Sequence, residues 1–394
     1  MRYLLLRAAQ ILGQPAVIRL AAPVLALRHV FGIPPKIADL AEASQILVIR
    51  PDEIGDVILT VPFLRALRQA TPRAEITLIT KTTCLELVEY CPYVDHVFAV
   101  DFSSGGRRPF RLLRAAWRSC LNREKCRPWG FDLVLLPRRA SDYYASELLG
   151  HLLVGRGAIL AHREKAEADG SGEQYRPGRV VYYSNRHFEH EVLHNLRFLQ
   201  WCGANEPGSG SLELWLSDAD RNFAARNLPD TERYVAIAPS AARPERRWPV
   251  GRFAEVASTL HAVYGLTPVQ LGASGDPHFV GGVNLIGGTT LREAAAVIER
   301  CVLFLGNDSG LAHLAAAVGV PVVEVSGFRR GGSAGHVNSP DRFRPWAVPC
   351  RVVQPPPGQG DLAIEEVAVE AVRAACSELL VDAGGAVHRN VSSA

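Results

Sequence analysis

The sequence has no Cys-x-x-Cys pair: its eight cysteines, Cys84, Cys91, Cys120, Cys126, Cys202, Cys301, Cys350 and Cys376, all stand singly. That excludes the paired-thiol signatures of zinc ribbons and thioredoxin-like sites, and scattered thiols read as those of a reduced, cytosolic protein. No apolar run approaches the ~20 residues that a membrane-spanning helix needs. The first strand-to-helix turn reads RPDEIGD in place of GxGxxG, which weakens a nicotinamide dehydrogenase, and no GxxxxGK[ST] occurs, which removes a P-loop nucleotidase. An excess of one charge is missing too. With 43 Lys and Arg against 40 Asp and Glu, nucleic acid is not the expected partner.

What remains is an ordinary globular composition, 48% hydrophobic and 21% charged, in 394 residues. That length suits two domains. The first 43 residues stand apart: they carry Arg2, Arg7, Arg19, Arg28 and Lys36 with no acid before Asp39. Basic and apolar, broken by Gly13, Pro15 and Pro23, they read either as helices lying on an anionic membrane surface or as a helical hairpin packed on the protein.

From Ile46 onward, short apolar runs alternate with amphipathic stretches, the βαβ pattern of a parallel sheet. Strands are expected at 46–50, 76–80, 94–100 and 131–137, with a weaker one at 158–160. A basic helical insertion with Trp117 and Trp129 interrupts at 101–130, and 161–180 reads as a surface loop. A helix ending at Gly203 and a linker follow. The second half repeats the alternation, with a strand over 234–240, a helix from about Gly251 to Tyr264, and a helix opened by the capping box Thr290-x-x-Glu293. Ligands of such sheets bind at the carboxyl ends of the strands, in a cleft expected between the halves.

Four segments carry candidate chemistry. In NDSGLAHLAAAVGVPVV, Asp308, Ser309 and Gly310 follow a strand and open a helix, with His313 one turn in. Helix-terminal amides, a hydroxyl and a glycine make an anion site suited to a diphosphate, against the plainer reading of an N-cap and a packed histidine. In APSAARPERRWP, a strand ends at Ser240 and the loop offers Arg243, Arg246 and Arg247, forks able to hold phosphate oxygens. His190-Glu191-Val192-Leu193-His194 is a literal HExxH. Its metzincin continuation is missing, with Arg197 at the glycine position, and a third ligand would have to come from Glu206 or Glu213. A polar helix face bearing His187, His190 and His194 beside the cleft is the favoured reading. Fourth, Gly55-Asp56 stands at a strand-to-helix turn among apolar residues, where Asp56 is either a cap or a reagent.

Together and in this order, these segments resemble the family nine glycosyltransferases, the lipopolysaccharide heptosyltransferase group. ILVIRPDEIGDVILTVPFLRAL is similar to the family's first strand, Gly-Asp turn and helix. RRWP is similar to its phosphate-binding loop, and NDSGLAHLAAAVGVPVV to its donor motif. The resemblance implies an α/β GT-B fold: an extension over 1–43, a Rossmann-like acceptor domain over 44–208, a linker over 209–230, and a Rossmann-like nucleotide-sugar domain over 231–394. It further implies inverting transfer of a heptose or similar sugar, without a catalytic metal or cofactor. The donor would be ADP-heptose or another nucleotide-diphosphate sugar, and the acceptor a glycan or glycolipid of the bacterial surface. The setting would be the cytoplasm or the cytoplasmic face of the inner membrane.

Residue by residue, Asp56 matches the family's catalytic base, with Glu53 its nearest rival. Arg246 stands where many members have a phosphate-binding lysine, flanked by Ser240 and Arg247. Asp308, Ser309, Gly310 and His313 match the donor motif, and Asp276 falls near an acid that contacts the nucleotide ribose. Gly55, His187, His190 and His194 are assigned to the acceptor side. The alternatives are a sugar-nucleotide epimerase on the same fold and, through HExxH alone, a zinc peptidase.

Overall fold

The β-branched run after Gln45 is buried on both faces, Ile46 to Ile49 being at most 1% exposed, as a strand must be when helices cover both sides of a parallel sheet. This run is β1 (Gln45–Ile49), joined by β2 (Glu75–Lys81), β3 (His96–Val100), β4 (Phe131–Leu136), β5 (Val154–His162) and β6 (Val180–Tyr183). The six pair in parallel in the order β3-β2-β1-β4-β5-β6. Order therefore reverses between β1 and β4. Leu47, Ile49, Ile79, Val134 and Ile159 meet in the core of this sheet.

The second sheet is built from β7 (Arg233–Ala238), β8 (Leu266–Gln270), β9 (Val283–Asn284), β10 (Cys301–Asn307), β11 (Val322–Val325) and β12 (Cys350–Val353). Its order is β12-β11-β10-β7-β8-β9, with the reversal between β7 and β10. Its core joins Val235, Ile237, Leu303, Leu305, Val323 and Val325 to Trp248, Phe253 and the helix Val369–Val391. Gly265, with φ of 65°, ends the helix Val250–Tyr264 in the left-handed conformation that a side chain would strain.

The computed structural model describes residues 40–100, 130–139, 146–162, 180–183, 189–205, 208, 210–328, 339–356 and 363–391. Residues 1–39 of the basic extension, 101–129 of the basic insertion, 163–179 of the expected loop, Glu206 and His187 thus lie outside the described residues, and the ends of that loop belong to β5 and β6. Two compact units form. The described residues of Met1–Glu53, Thr60–His187 and Val192–Ser209 make the first, and those of Ile54–Leu59, Phe188–Glu191 and Gly210–Ala394 the second. The turn carrying Asp56 therefore belongs with the second unit, although it follows a strand of the first.

Several elements differ from expectation. β5 spans nine residues, where 158–160 alone was apparent. The segment expected as a linker holds the helix Asp218–Asn227, opened by a capping box in which Ser217 and Asp220 each satisfy the other's backbone N–H. The box at Thr290 and Glu293 forms as anticipated. Among the described residues, no helix is long and apolar enough to cross a membrane.

Candidate functional site

The second unit's reversal point is flanked by the ends of β7 and β10, and the predicted donor residues gather there. Just past β7, the Ser240 hydroxyl donates to Asp276 Oδ1 at 2.7 Å. The other Asp276 oxygen accepts the Ala273 N–H at 2.7 Å. Two residues singled out separately are thus bonded to each other, and Asp276 ties the loop after β7 to the loop after β8.

Arg246 ends a 3-10 turn, Pro244–Arg246. Its Nη1 lies 3.2 Å from Asp308 Oδ2, and its guanidinium carbon sits 5.0 Å from the centre of the Phe328 ring. Arg247 turns the other way and donates from Nε to the Ala241 carbonyl at 2.7 Å. The first arginine faces the helix terminus while the second props its own loop. Trp248 fixes this division. It is 1% exposed, its indole N–H donates to the Val367 carbonyl at 3.0 Å, and its backbone N–H donates to Asn307 Oδ1 at 2.9 Å. A buried indole whose polar atom is satisfied makes a firm anchor.

Asp308 and Ser309 precede the helix Gly310–Ala317, and Ser309 is its N-cap residue without making a side-chain cap bond. The Ser309 hydroxyl is instead buried with no hydrogen-bond partner, as is His313 Nδ1. Burial pushes the Asp308 carboxyl above its usual range, against the pull of Arg246. Burial also lowers His313 to about 3, with a further push from His190, so its ring is neutral at physiological pH.

The Asp56 turn, within the helix Ile54–Ile58, packs on this same helix terminus through two glycines. A Cβ on Gly55 would meet the His313 ring at 2.4 Å, and one on Gly310 would meet the Ile54 side chain at 2.8 Å. Real Cβ atoms do not approach so closely. Asp56 itself is partly exposed. Its rival Glu53 is 70% exposed and forms an ion pair with Lys81 in the first unit.

The HExxH residues have separate duties. The helix begins only at Glu191, so His190 precedes it. His190 stacks on Trp346 with 4.2 Å between ring centres and donates from Nε2 to the Arg344 carbonyl at 2.9 Å. Burial is the main cause that lowers it to about 4. Glu191 pairs with Arg342 at 2.9 Å, both side chains being buried. His194 is fully buried and meets His162 edge-to-face, 4.4 Å between ring centres. A polar helix face is therefore the wrong picture, since apolar packing of the first unit claims His194 and the second unit claims His190 and Glu191. Among the described residues, no group of three or more His, Cys, Asp or Glu is disposed to hold a metal ion.

Glu324, Phe328 and Trp346 were not apparent as site residues, and Trp248 and Asn307 stood inside the RRWP and NDSGLAHL segments without a role of their own. Glu324 left a signal as an acid within the apolar run VPVVEVSG.

Two Rossmann-like parallel units, the second with an arginine loop facing a helix terminus at its reversal point, have the α/β architecture of the GT-B fold. The profile of glycosyltransferase family 9 (heptosyltransferase) matches residues 179–348, a range that holds Ser240, Arg246, Asp276, Asp308 and His313 but not Asp56. The lipopolysaccharide core heptosyltransferase OpsX of Haemophilus influenzae is 24% identical over 297 residues, 71% of this chain and 78% of that protein. The solved family 9 glycosyltransferase of Veillonella parvula superposes with a TM-score of 0.69 at 22% identity, covering 88% of this chain and 99% of that one. The ADP-heptose lipopolysaccharide heptosyltransferase II of E. coli gives 0.62 at 20%, covering 86% and 99%. The chain is a glycosyltransferase, similar to the family 9 heptosyltransferases.

Proposed function

We propose that this enzyme transfers a heptose, or a closely similar sugar, from ADP-heptose or another nucleotide-diphosphate sugar to a glycan or glycolipid acceptor of lipopolysaccharide, with inversion and without a catalytic metal. Asp56 takes the proton of the acceptor hydroxyl as that oxygen attacks the anomeric carbon. The bond from that carbon to the diphosphate oxygen breaks, and its electron pair leaves with the nucleoside diphosphate. Attack opposite the leaving group inverts the centre. Arg246 and the amides opening the helix Gly310–Ala317 neutralise the departing charge. Ser240 and Asp276 shape the ribose end.

The observation that carries this reading is the packing of the Asp56 turn on the donor helix terminus, Gly55 against His313 and Ile54 against Gly310. It supports Asp56 over Glu53, since Asp56 shares a compact unit with the helix Gly310–Ala317 and Glu53 does not. The E. coli relative described as an ADP-heptose heptosyltransferase is the ground for putting ADP-heptose first among the donors. The N-terminal basic residues add contact with an anionic membrane surface, which suits a lipid-linked acceptor.

The test incubates the purified protein with ADP-heptose and core-truncated lipopolysaccharide, with and without a chelator, and reads the anomeric configuration by NMR. An inverted heptosyl product insensitive to the chelator is the expected result. A retained configuration, or donor isomerisation without acceptor, would overturn it, the latter in favour of an epimerase.

A further inference from the structure

Glu324 is an acid in the middle of the second sheet. It lies on β11 between Val323 and Val325, which face the apolar core, so by strand alternation its side chain points to the opposite face. It is 1% exposed and its Oε2 has no hydrogen-bond partner. Register sets it beside Gly306 of β10, two residues before Asp308. The charged groups acting on it are Asp308, Arg246 from the loop after β7, and Arg344 after the short helix Pro340–Phe343. His313, on the helix Gly310–Ala317 that follows Asp308, is held neutral by burial.

Four other buried side-chain atoms of this site also have no hydrogen-bond partner: Arg246 Nε, Asn307 Nδ2, Ser309 Oγ and His313 Nδ1. Buried polar groups are ordinarily paired. A cluster of them at the reversal point of a sheet marks where a polar ligand sits. Burial and then Asp308 push the Glu324 carboxyl well above its ordinary range, while Arg246 and Arg344 oppose. Two buried carboxyls in mutual repulsion titrate as a pair.

We propose that Glu324 is a specificity-determining residue of the donor site, sharing a single proton with Asp308 so that the site meets a diphosphate without net negative charge. This rests on the donor reading above. With one proton, one carboxylate and the Arg246 guanidinium, that trio is neutral. Loss of the proton leaves it with a charge of minus one beside the incoming diphosphate. The anion in turn tightens the proton, so binding above the pair's titration takes a proton up. The site thereby favours diphosphates most at the acid end of the physiological range.

The experiment measures the affinity of ADP-, UDP- and GDP-sugars, whose pyrophosphate diesters do not titrate between about pH 6 and 9, for the wild type and for Glu324→Gln. Wild-type affinity for the best of them should fall about tenfold or more across that range, with proton uptake at pH 8 seen calorimetrically in buffers of different ionisation heat. Glu324→Gln should bind within a few-fold of wild type at pH 6 and lose the slope. An unchanged slope in that variant, or a flat wild-type profile, overturns the proposal and leaves the donor reading standing. Binding of none of the three by wild type overturns the donor reading and this inference with it. Should Glu324→Gln fail to fold, the wild-type buffer dependence decides: no proton uptake at pH 8 overturns it.

Discussion

Gly55 lies against the imidazole of His313 so closely that a Cβ on the glycine would fall 2.4 Å from Cδ2 and 2.9 Å from Nε2. The ring is 4% exposed and cannot swing away without opening the core of the second unit. The glycine thus sets the distance between the proposed base, its next neighbour, and the helix Gly310–Ala317. Gly55→Ala should cost about 1–3 kcal/mol of stability, the scale of overpacking. A shift of the Asp56 turn by ~1 Å should lower turnover roughly 100-fold. Thermal unfolding and steady-state kinetics measure both. Turnover that falls no more than stability predicts would show that the contact only packs.

Asp56→Asn keeps size and removes the proposed base. It should leave a folded protein that binds nucleotide-sugar but turns over ~10²–10⁴-fold more slowly. Glu53→Gln is the matched comparison, because that exposed side chain is engaged with Lys81. Its turnover should stay near wild type. Reversed effects would move the base to Glu53, and two mild effects would remove both.

Arg246→Ala should weaken donor binding by roughly 1.5–3 kcal/mol, the scale of a hydrogen bond between charged groups. It also strips Asp308 of its guanidinium. Arg247→Ala loses the bond to the Ala241 carbonyl and should act mainly on loop stability, changing donor affinity much less. Calorimetric titration of both variants with the donor ranks them, and the opposite ranking would exchange their roles.

Much of this was legible. The run at Ile46 and the run VLFLG before Asn307 announced themselves because strands buried on both faces must be apolar throughout. Thr290 and Glu293 announced a helix start by local chemistry alone. β6 and β12, four residues each, are too short for a periodic signal. What no local pattern conveys is association at a distance. That residues 54–59 join the second unit depends on two glycines far apart in sequence, Gly55 and Gly310, each meeting a side chain of the other segment. The split of His190 from His194 is of the same kind, since a motif one turn long is divided by what each ring packs against.

The basic extension carries a prediction that the described residues sharpen. Leu40 is 1% exposed and Ala43 6%, so both belong to the first unit's packing and a truncation should stop before them. Deleting residues 1–39 should release the protein from anionic liposomes while nucleotide-sugar binding persists, since each basic residue near such a surface contributes ~1 kcal/mol. Undiminished sedimentation of the truncated protein with the liposomes would remove the membrane assignment.

The paired histidines predict an acid sensitivity with a definite sign. His190 is lowered to about 4 and His313 to about 3, both chiefly by burial, so the fold holds both rings neutral. Below pH ~6.5 the unfolded chain binds protons there that the folded chain refuses. The stabilisation is therefore complete above about 6.5, and is lost progressively as pH falls toward 4 for His190 and toward 3 for His313. Near pH 5, each ring adds about 1.4 kcal/mol per pH unit to the slope of stability against pH. His190→Gln can still donate to the Arg344 carbonyl but cannot titrate. Denaturant midpoints at pH 7, 6 and 5 should show the variant losing less stability than wild type, by about one proton's worth of slope. Parallel profiles for the two proteins would mean that His190 is charged in the fold, and that its stacking on Trp346 is a contact between a cation and a ring.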